Sequence, residues 1–185
     1  GRPVPEEPGL GATGLLADLV ARERPGAHLV YASTGHVYAP PAGAEIHEGL
    51  LLDETRAIRP GPLYARTKWA GELLLHDNAH RTGLRTTVLR LFNHTHYSQA
   101  PTAFLPHVHR RLLAHDGSGV AEIPVGNLDV ERDFGALGDL MRAFEATLET
   151  PPTDEQLSVC NVCSGRPTHV GALAHALARA MGVEA

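Results

Sequence analysis

Hydrophobic and polar positions change period repeatedly along this chain. Leu15, Leu16, Leu19 and Val20 share one face of a helix expected over residues 11–23, which Pro25-Gly26 stops. Ala27-His28-Leu29-Val30-Tyr31-Ala32-Ser33 is a short, mostly apolar run, the pattern of a strand covered on both faces. Residues 34–60 carry Pro, Gly and acids and read as a long surface loop. A long helix is expected over 62–82, with Leu63, Trp69, Leu73 and Leu74 among its apolar positions and Gly83 at its end. Leu84 to Leu91 reads as a β-rich strand, and 103–115 as a helix with Leu105, Val108 and Leu112 on one face. Short strands at 121–125 and 157–163 and helices at 137–149 and 168–181 complete the pattern. Alternating helices and strands imply an α/β fold, a partial Rossmann-like parallel sheet flanked by helices. Residues 1–8, with three prolines and no periodicity, read as a linker or disordered tail.

Composition narrows the function more than the fold. The 185 residues carry a net charge of −5, with 43% hydrophobic and 20% charged residues, near the average for a soluble globular chain. A mildly acidic balance excludes the basic footprint of nucleic-acid binding or an anionic-membrane surface. No apolar run approaches the roughly 18–20 residues of a membrane span, and Gly1 to Pro8 lacks the regions of a signal peptide. Two cysteines, Cys160 and Cys163, cannot make a disulfide scaffold and point to a reducing, cytoplasmic setting. Their C-x-x-C spacing is half a zinc site without its other half, and the twelve histidines show no shared ligating face, so no metal is expected.

The chemistry gathers in Tyr64-Ala65-Arg66-Thr67-Lys68. Residues i and i+4 stand one above the other on a helix. A nearby ammonium favours phenolate over phenol, making the Tyr a usable acid/base near neutrality. Upstream, an apolar strand runs into Ser33-Thr34-Gly35-His36-Val37-Tyr38. Hydroxyls at the carboxyl end of a parallel strand lie where ligands bind in open α/β sheets. Each feature also has a plainer reading: a solvated helix pair, or hydroxyls that cap a turn.

Together these residues resemble the extended short-chain dehydrogenase/reductase family, the NAD(P)-dependent nucleotide-sugar epimerases, dehydratases and reductases. Three further runs narrow the resemblance: Arg90-Leu91-Phe92-Asn93-His94-Thr95, Val125-Gly126-Asn127-Leu128-Asp129 leading into Arg132-Asp133-Phe134, and Cys160-Asn161-Val162-Cys163-Ser164-Gly165. In this order they look most like the GDP-4-keto-6-deoxymannose reductases, with the GDP-mannose 4,6-dehydratases close behind. The resemblance implies that Tyr64 is the catalytic acid/base. Lys68 would lower its pKa and bind the nicotinamide ribose, and Thr34 would hold the reacting oxygen. Ser33 joins Tyr64 and Lys68 on the NAD or NADP side, while Asn93, Asn127 and Arg132 would hold the nucleotide sugar. It places both cysteines on a buried strand. It also implies a homodimer through the helices at 11–23 and 62–82, or another partner covering an open sheet edge.

The chain departs from the family in three places. The dehydratases carry an acid two residues after the catalytic Thr, where this chain has His36, which favours reduction over dehydration. His96-Tyr97-Ser98-Gln99 replaces the expected Gly-Pro after Asn93-His94-Thr95. The strand–Gly-rich turn–helix unit that holds the dinucleotide pyrophosphate is not visible. Gly9-Leu10-Gly11-Ala12-Thr13-Gly14 matches GxGxxG, but Val4-Pro5-Glu6-Glu7-Pro8 cannot supply the strand that must precede it. Residues 9–92 are therefore expected to form the C-terminal half of a Rossmann-like domain, and 93–185 a mixed segment of substrate lobe and remaining strands. The reaction expected is NAD(P)H-dependent reduction of a nucleotide-bound 4-keto sugar. The alternatives are a non-catalytic nucleotide-sugar-binding or assembly subunit, or an epimerase or 4,6-dehydratase of the same family.

Overall fold

The computed structural model describes residues 8–40, 52–153 and 156–184, with side chains from Gly11 onwards. The expected tail at 1–7 lies outside the described residues. The elements are α1 (Pro8–Glu23), β1 (His28–Thr34), a 3-10 turn (Gly35–Val37), α2 (Leu63–Thr82), β2 (Arg85–Leu91), β3 (Asn93–Thr95), α3 (Phe104–Leu113), β4 (Glu131–Ala136), α4 (Leu137–Glu149), β5 (Leu157–Val162), β6 (Pro167–His169) and α5 (Val170–Ala180). They fall into two compact units: residues up to Phe92 with Met141–Val162, and Asn93–Leu140 with Cys163–Ala185.

The first unit is built on a parallel sheet of order β1-β2-β5. β2 is central, and its middle residues are buried. β1 and β5 are edge strands, and among the described residues no strand pairs with the outer side of β1. α1 and α2 pack together over one face. Ala17, Leu75 and Leu84 form the core there, with Val20, Ala21, Leu29, Tyr31 and Leu157 against them. Asn78, 3% exposed, donates to Asp18 Oδ1 at 2.6 Å and ties the two helices. α2 ends where Gly83 takes a left-handed conformation, φ 74°, and returns its N–H to Ala79 O.

The face of α2 that meets the sheet is not its most hydrophobic one. Ala65, Gly71, Glu72, Leu75 and Ala79 are buried, whereas Leu63, Leu73 and Leu74 are exposed, as are Leu15, Leu16 and Leu19 of α1. Small residues bring the helix close to the strands, and of its four leucines only Leu75 is buried.

The second unit holds a small mixed sheet of order β3-β4-β6, with β3 parallel and β6 antiparallel to β4. Its core joins Val108 and Leu112 of α3 to Ala178 of α5 and Ala121.

Three expectations need correcting. Residues 121–125 form no strand: Pro124 has no N–H to donate, and Ala121 bonds instead to Glu184 O at 2.9 Å. The loop after β1 is not wholly superficial, because Val37 and Tyr38 are buried; its residues 41–51 lie outside the described set. Cys160 and Cys163 are both exposed, since β5 is an edge strand and Cys163 follows its end. The GxGxxG match at 9–14, set aside above for want of a preceding strand, lies wholly within α1.

Candidate active site

β1 ends at Thr34 and carries two hydroxyls to the carboxyl edge of the parallel sheet, where they take different partners. Ser33, 2% exposed, turns towards α2 and donates its hydroxyl to Glu72 Oε1. What it can offer a dinucleotide is therefore backbone. Thr34, 4% exposed, caps the 3-10 turn: its Oγ1 accepts from His36 N at 3.3 Å. A hydroxyl that accepts through one lone pair keeps its O–H to donate. His36 itself is exposed.

α2 approaches the same strand end. Pro62 precedes the helix with extended backbone, and Tyr64 stands on the first turn, 52% exposed. One turn on, Lys68 Nζ donates to Ala32 O at 2.9 Å. The ammonium lies 5.1 Å from the Tyr31 ring centre and 6.0 Å from that of Tyr64, between two aromatic faces. Burial raises the Tyr31 phenol pKa, and the Glu72 charge adds to it, so Tyr31 remains a neutral wall beside the cation. Thr34, Tyr64, Lys68 and Ser33 thus belong to one unit, on the strand end and the helix bound to it.

The remaining candidates belong to the second unit. Asn93 opens β3, half-buried, opposite Phe134 of β4. Asn127 is exposed and accepts the N–H of Asp129 at 2.9 Å, forming an Asx turn. Arg132 is exposed on β4, with Nη1 donating to Glu131 O at 2.8 Å. The neighbouring acids are engaged elsewhere. Asp129 faces His169 at 3.3 Å, and Asp133 accepts from the Ser164 and Arg166 amides at 2.8 and 3.2 Å. The Asp133 bonds brace the turn between β5 and β6.

Sequence reasoning missed a buried polar cluster behind Thr34. Arg90 and Glu72, 5% and 4% exposed, form an ion pair that Ser33, Tyr38 and Asn161 join through hydrogen bonds. Burial draws the Arg90 pKa down, but its bonds to Glu72 and Tyr38 outweigh that and hold the guanidinium above its ordinary value. Burial likewise lifts the Tyr38 pKa, against the pull of Arg90. The available signal was a charged residue inside the apolar run Val88-Leu89-Arg90-Leu91. No group of three or more His, Cys, Asp or Glu suited to a metal occurs among the described residues, and no described helix is long and apolar enough to cross a membrane.

Comparison with known proteins gives this arrangement a context. GDP-6-deoxy-D-mannose reductase of Pseudomonas aeruginosa is 33% identical over 178 residues, covering 95% of this chain and 55% of that enzyme. UDP-glucuronate 4-epimerase 6 of Arabidopsis thaliana is 27% identical over 181 residues, 92% of this chain and 38% of its own length. Among solved structures, RMD from P. aeruginosa complexed with NADPH superposes with a TM-score of 0.83 at 28% identity, over 95% of this chain and 58% of that one. MoeE5 in complex with UDP-glucose and NAD gives 0.78 at 25% identity, over 95% and 55%. The chain therefore spans little more than half the length of the P. aeruginosa enzyme. The model of the NAD dependent epimerase/dehydratase family matches residues 10–163, a span that contains Thr34, Tyr64, Lys68, Asn93, Asn127 and Arg132. The chain belongs to the NAD dependent epimerase/dehydratase family, whose relatives modify nucleotide sugars.

Proposed function

We propose that this chain serves the NAD(P)H-dependent reduction of a nucleotide-bound 4-keto sugar. The observation that carries the reading is the bond from Lys68 Nζ to Ala32 O, which fastens the Tyr64-x-x-x-Lys68 helix to the strand end that bears Thr34. The P. aeruginosa reductase supports the reaction class, and its NADPH complex supports the cofactor.

The residues fit the nicotinamide-ribose end of such a cofactor. Lys68 offers an ammonium with three donors, of which Ala32 O takes one, beside the half-exposed phenol of Tyr64. Bound NADH or NADPH supplies the hydride that reduces the carbonyl carbon. Tyr64 delivers the proton to the carbonyl oxygen as negative charge develops there, and Thr34 donates a hydrogen bond to that oxygen. In the second unit, Arg132 has the planar fork that suits a diphosphate, and the resemblance assigns Asn93 and Asn127 to the nucleotide sugar.

A 4-epimerase is the second reading, favoured by the resemblance to UDP-glucuronate 4-epimerase 6. It uses the same Tyr64 and Lys68 and differs in returning the sugar to its original oxidation state. His36, in the place of the dehydratases' acid, favours the reductase over a 4,6-dehydratase. A chain with only two cysteines suits a reducing, cytoplasmic setting.

The test is turnover of NADPH or NADH with a GDP-bound 4-keto-6-deoxy sugar by the full-length protein, with Tyr64→Phe and Thr34→Ala as variants. Loss of a proton donor lowers the rate by about 10²–10⁴-fold. A ketone-reducing rate that survives Tyr64→Phe unchanged overturns the mechanism. Production of the C4 epimer without net NAD(P)H consumption selects the second reading.

A further inference from the structure

The ion pair between Glu72 and Arg90 lies behind the proposed site and takes no part in its chemistry. The two side chains are 5% and 6% exposed. Arg90 meets the carboxylate with its fork: Nη2 to Oε2 at 2.7 Å, and Nε to Oε1 and Oε2 at 3.3 and 3.2 Å. Its Nη1 donates to Tyr38 Oη at 3.0 Å, and that hydroxyl donates to Asn161 Oδ1 at 2.7 Å. Asn161 in turn gives its backbone N–H to Glu54 Oε1 at 2.6 Å and its amide to Leu52 O at 2.9 Å. The Arg90 guanidinium also lies 4.9 Å from the Tyr38 ring centre and 5.9 Å from that of Trp69. One connected network thus joins α2, β1, β2 and β5.

Stability alone does not account for such a pair. Burying two charges removes their hydration, and well-packed apolar residues in their place are often neutral or stabilising. What directional bonds add is a defined register. Tyr64, Lys68 and Glu72 recur every four residues and form one stripe of α2. Successive residues of β1 hold that stripe: Ala32 O binds Lys68, and the Ser33 hydroxyl binds Glu72. The partner of Ser33 across the sheet is Arg90 itself. A shift of α2 by one turn, about 5.4 Å, would break both ties at once.

We propose that Glu72 and Arg90 are positioning residues: their buried pair sets the register and rotation of α2 on β1, and so where the Tyr64 phenol stands relative to the Thr34 hydroxyl. The inference rests on the reductase reading above. Neither side chain touches substrate or cofactor in this scheme.

The test uses the full-length protein and follows kcat, KM for the nucleotide sugar and the urea midpoint together. Glu72→Met with Arg90→Met removes both charges and keeps apolar volume. The expected result is a midpoint near that of the wild type, KM within about 2-fold, and kcat lowered about 10–100-fold, because misplacement by about 1 Å can cost 10²-fold. Arg90→Lys keeps the charge but loses the fork, and falls between the two. A double variant that folds and keeps wild-type kcat overturns the proposal. If the double variant does not fold, Arg90→Lys decides, since it keeps the buried charge but loses the fork that holds the Glu72 carboxylate. That variant should lower kcat about 3–10-fold at constant KM, and an unchanged kcat overturns the proposal. A wild-type protein that reduces no nucleotide-bound ketone defeats the reductase reading itself. An active wild type with unaffected variants defeats only the positioning role.

Discussion

Gly71→Ala provides a sharp test of how closely α2 approaches β1, because two effects of known size oppose each other there. In an exposed helix interior the change stabilises by about 0.8–1 kcal/mol. Gly71 lies in the middle of α2, but a Cβ on it would stand 2.9 Å from Tyr31 Cζ, 3.5 Å from Cε1 and within the contact radius of Oη. Carbon atoms pack best at about 3.5–4.0 Å, so the ring must retreat by roughly half an ångström or more. Tyr31 has little freedom to do so: it packs against the Ala17, Leu75 and Leu84 core, and its hydroxyl bonds to the Thr13 side chain. Overpacking costs about 1–3 kcal/mol, and losing the hydroxyl's bond about 1 kcal/mol more. Offset by the propensity gain, the net loss is about 1–3 kcal/mol. For a chain of this length, a 2 kcal/mol loss lowers the melting temperature by about 4–8 °C.

The assay is urea unfolding of the wild type, Gly71→Ala, Tyr31→Phe and the double variant. Tyr31→Phe removes the Oη contact but leaves Cζ in place, so it should relieve the Gly71→Ala penalty only in part. The expected coupling is about 1 kcal/mol, within the range for residues in contact. A Gly71→Ala variant as stable as the wild type or more so refutes the close approach. With it would go the placing of Lys68, whose ammonium lies over the same ring.

Two further outcomes follow from groups away from the reaction. His28 has a lowered pKa, through burial and then the charge of Arg85, and its Nδ1 is buried with no hydrogen-bond partner among the described residues. The unfolded chain then binds the proton more readily, so neutral His28 adds stability above about pH 6.5 that is lost as pH falls through its folded value. His28→Gln should flatten the decline of melting temperature between about pH 7 and pH 5, and an unaltered slope disproves the assignment. The exposed Leu15, Leu16 and Leu19 of α1, with Leu73 and Leu74 of α2, are the proposed homodimer surface. Sedimentation at tens of micromolar should give a dimer that Leu16→Glu with Leu73→Glu converts to a monomer. A monomeric wild type eliminates that partner.

How much of this was legible in the sequence depended on the range of the interaction concerned. α2 and β2 came within a residue of their expected ends, because helical period, the Gly83 stop and a run of β-branched residues are local signals. The exposure of Cys160 was not readable, since it depends on β5 being an edge strand, which only the strand order reveals. The face of α2 was misleading in a more instructive way. Leu63, Leu73 and Leu74 suggest the apolar side, yet only Leu75 among its leucines is buried, beside Ala65, Gly71, Glu72 and Ala79. Of these, Glu72 is explained by a partner eighteen positions on at Arg90. Side-chain hydrophobicity reports what a surface could bury, whereas a catalytic helix must also stand at one height on its strand. A carboxylate on the inner face of α2 and a guanidinium within an apolar strand are each costly alone. Their cost is offset only when they meet, so two such residues in one sequence are themselves evidence of a contact.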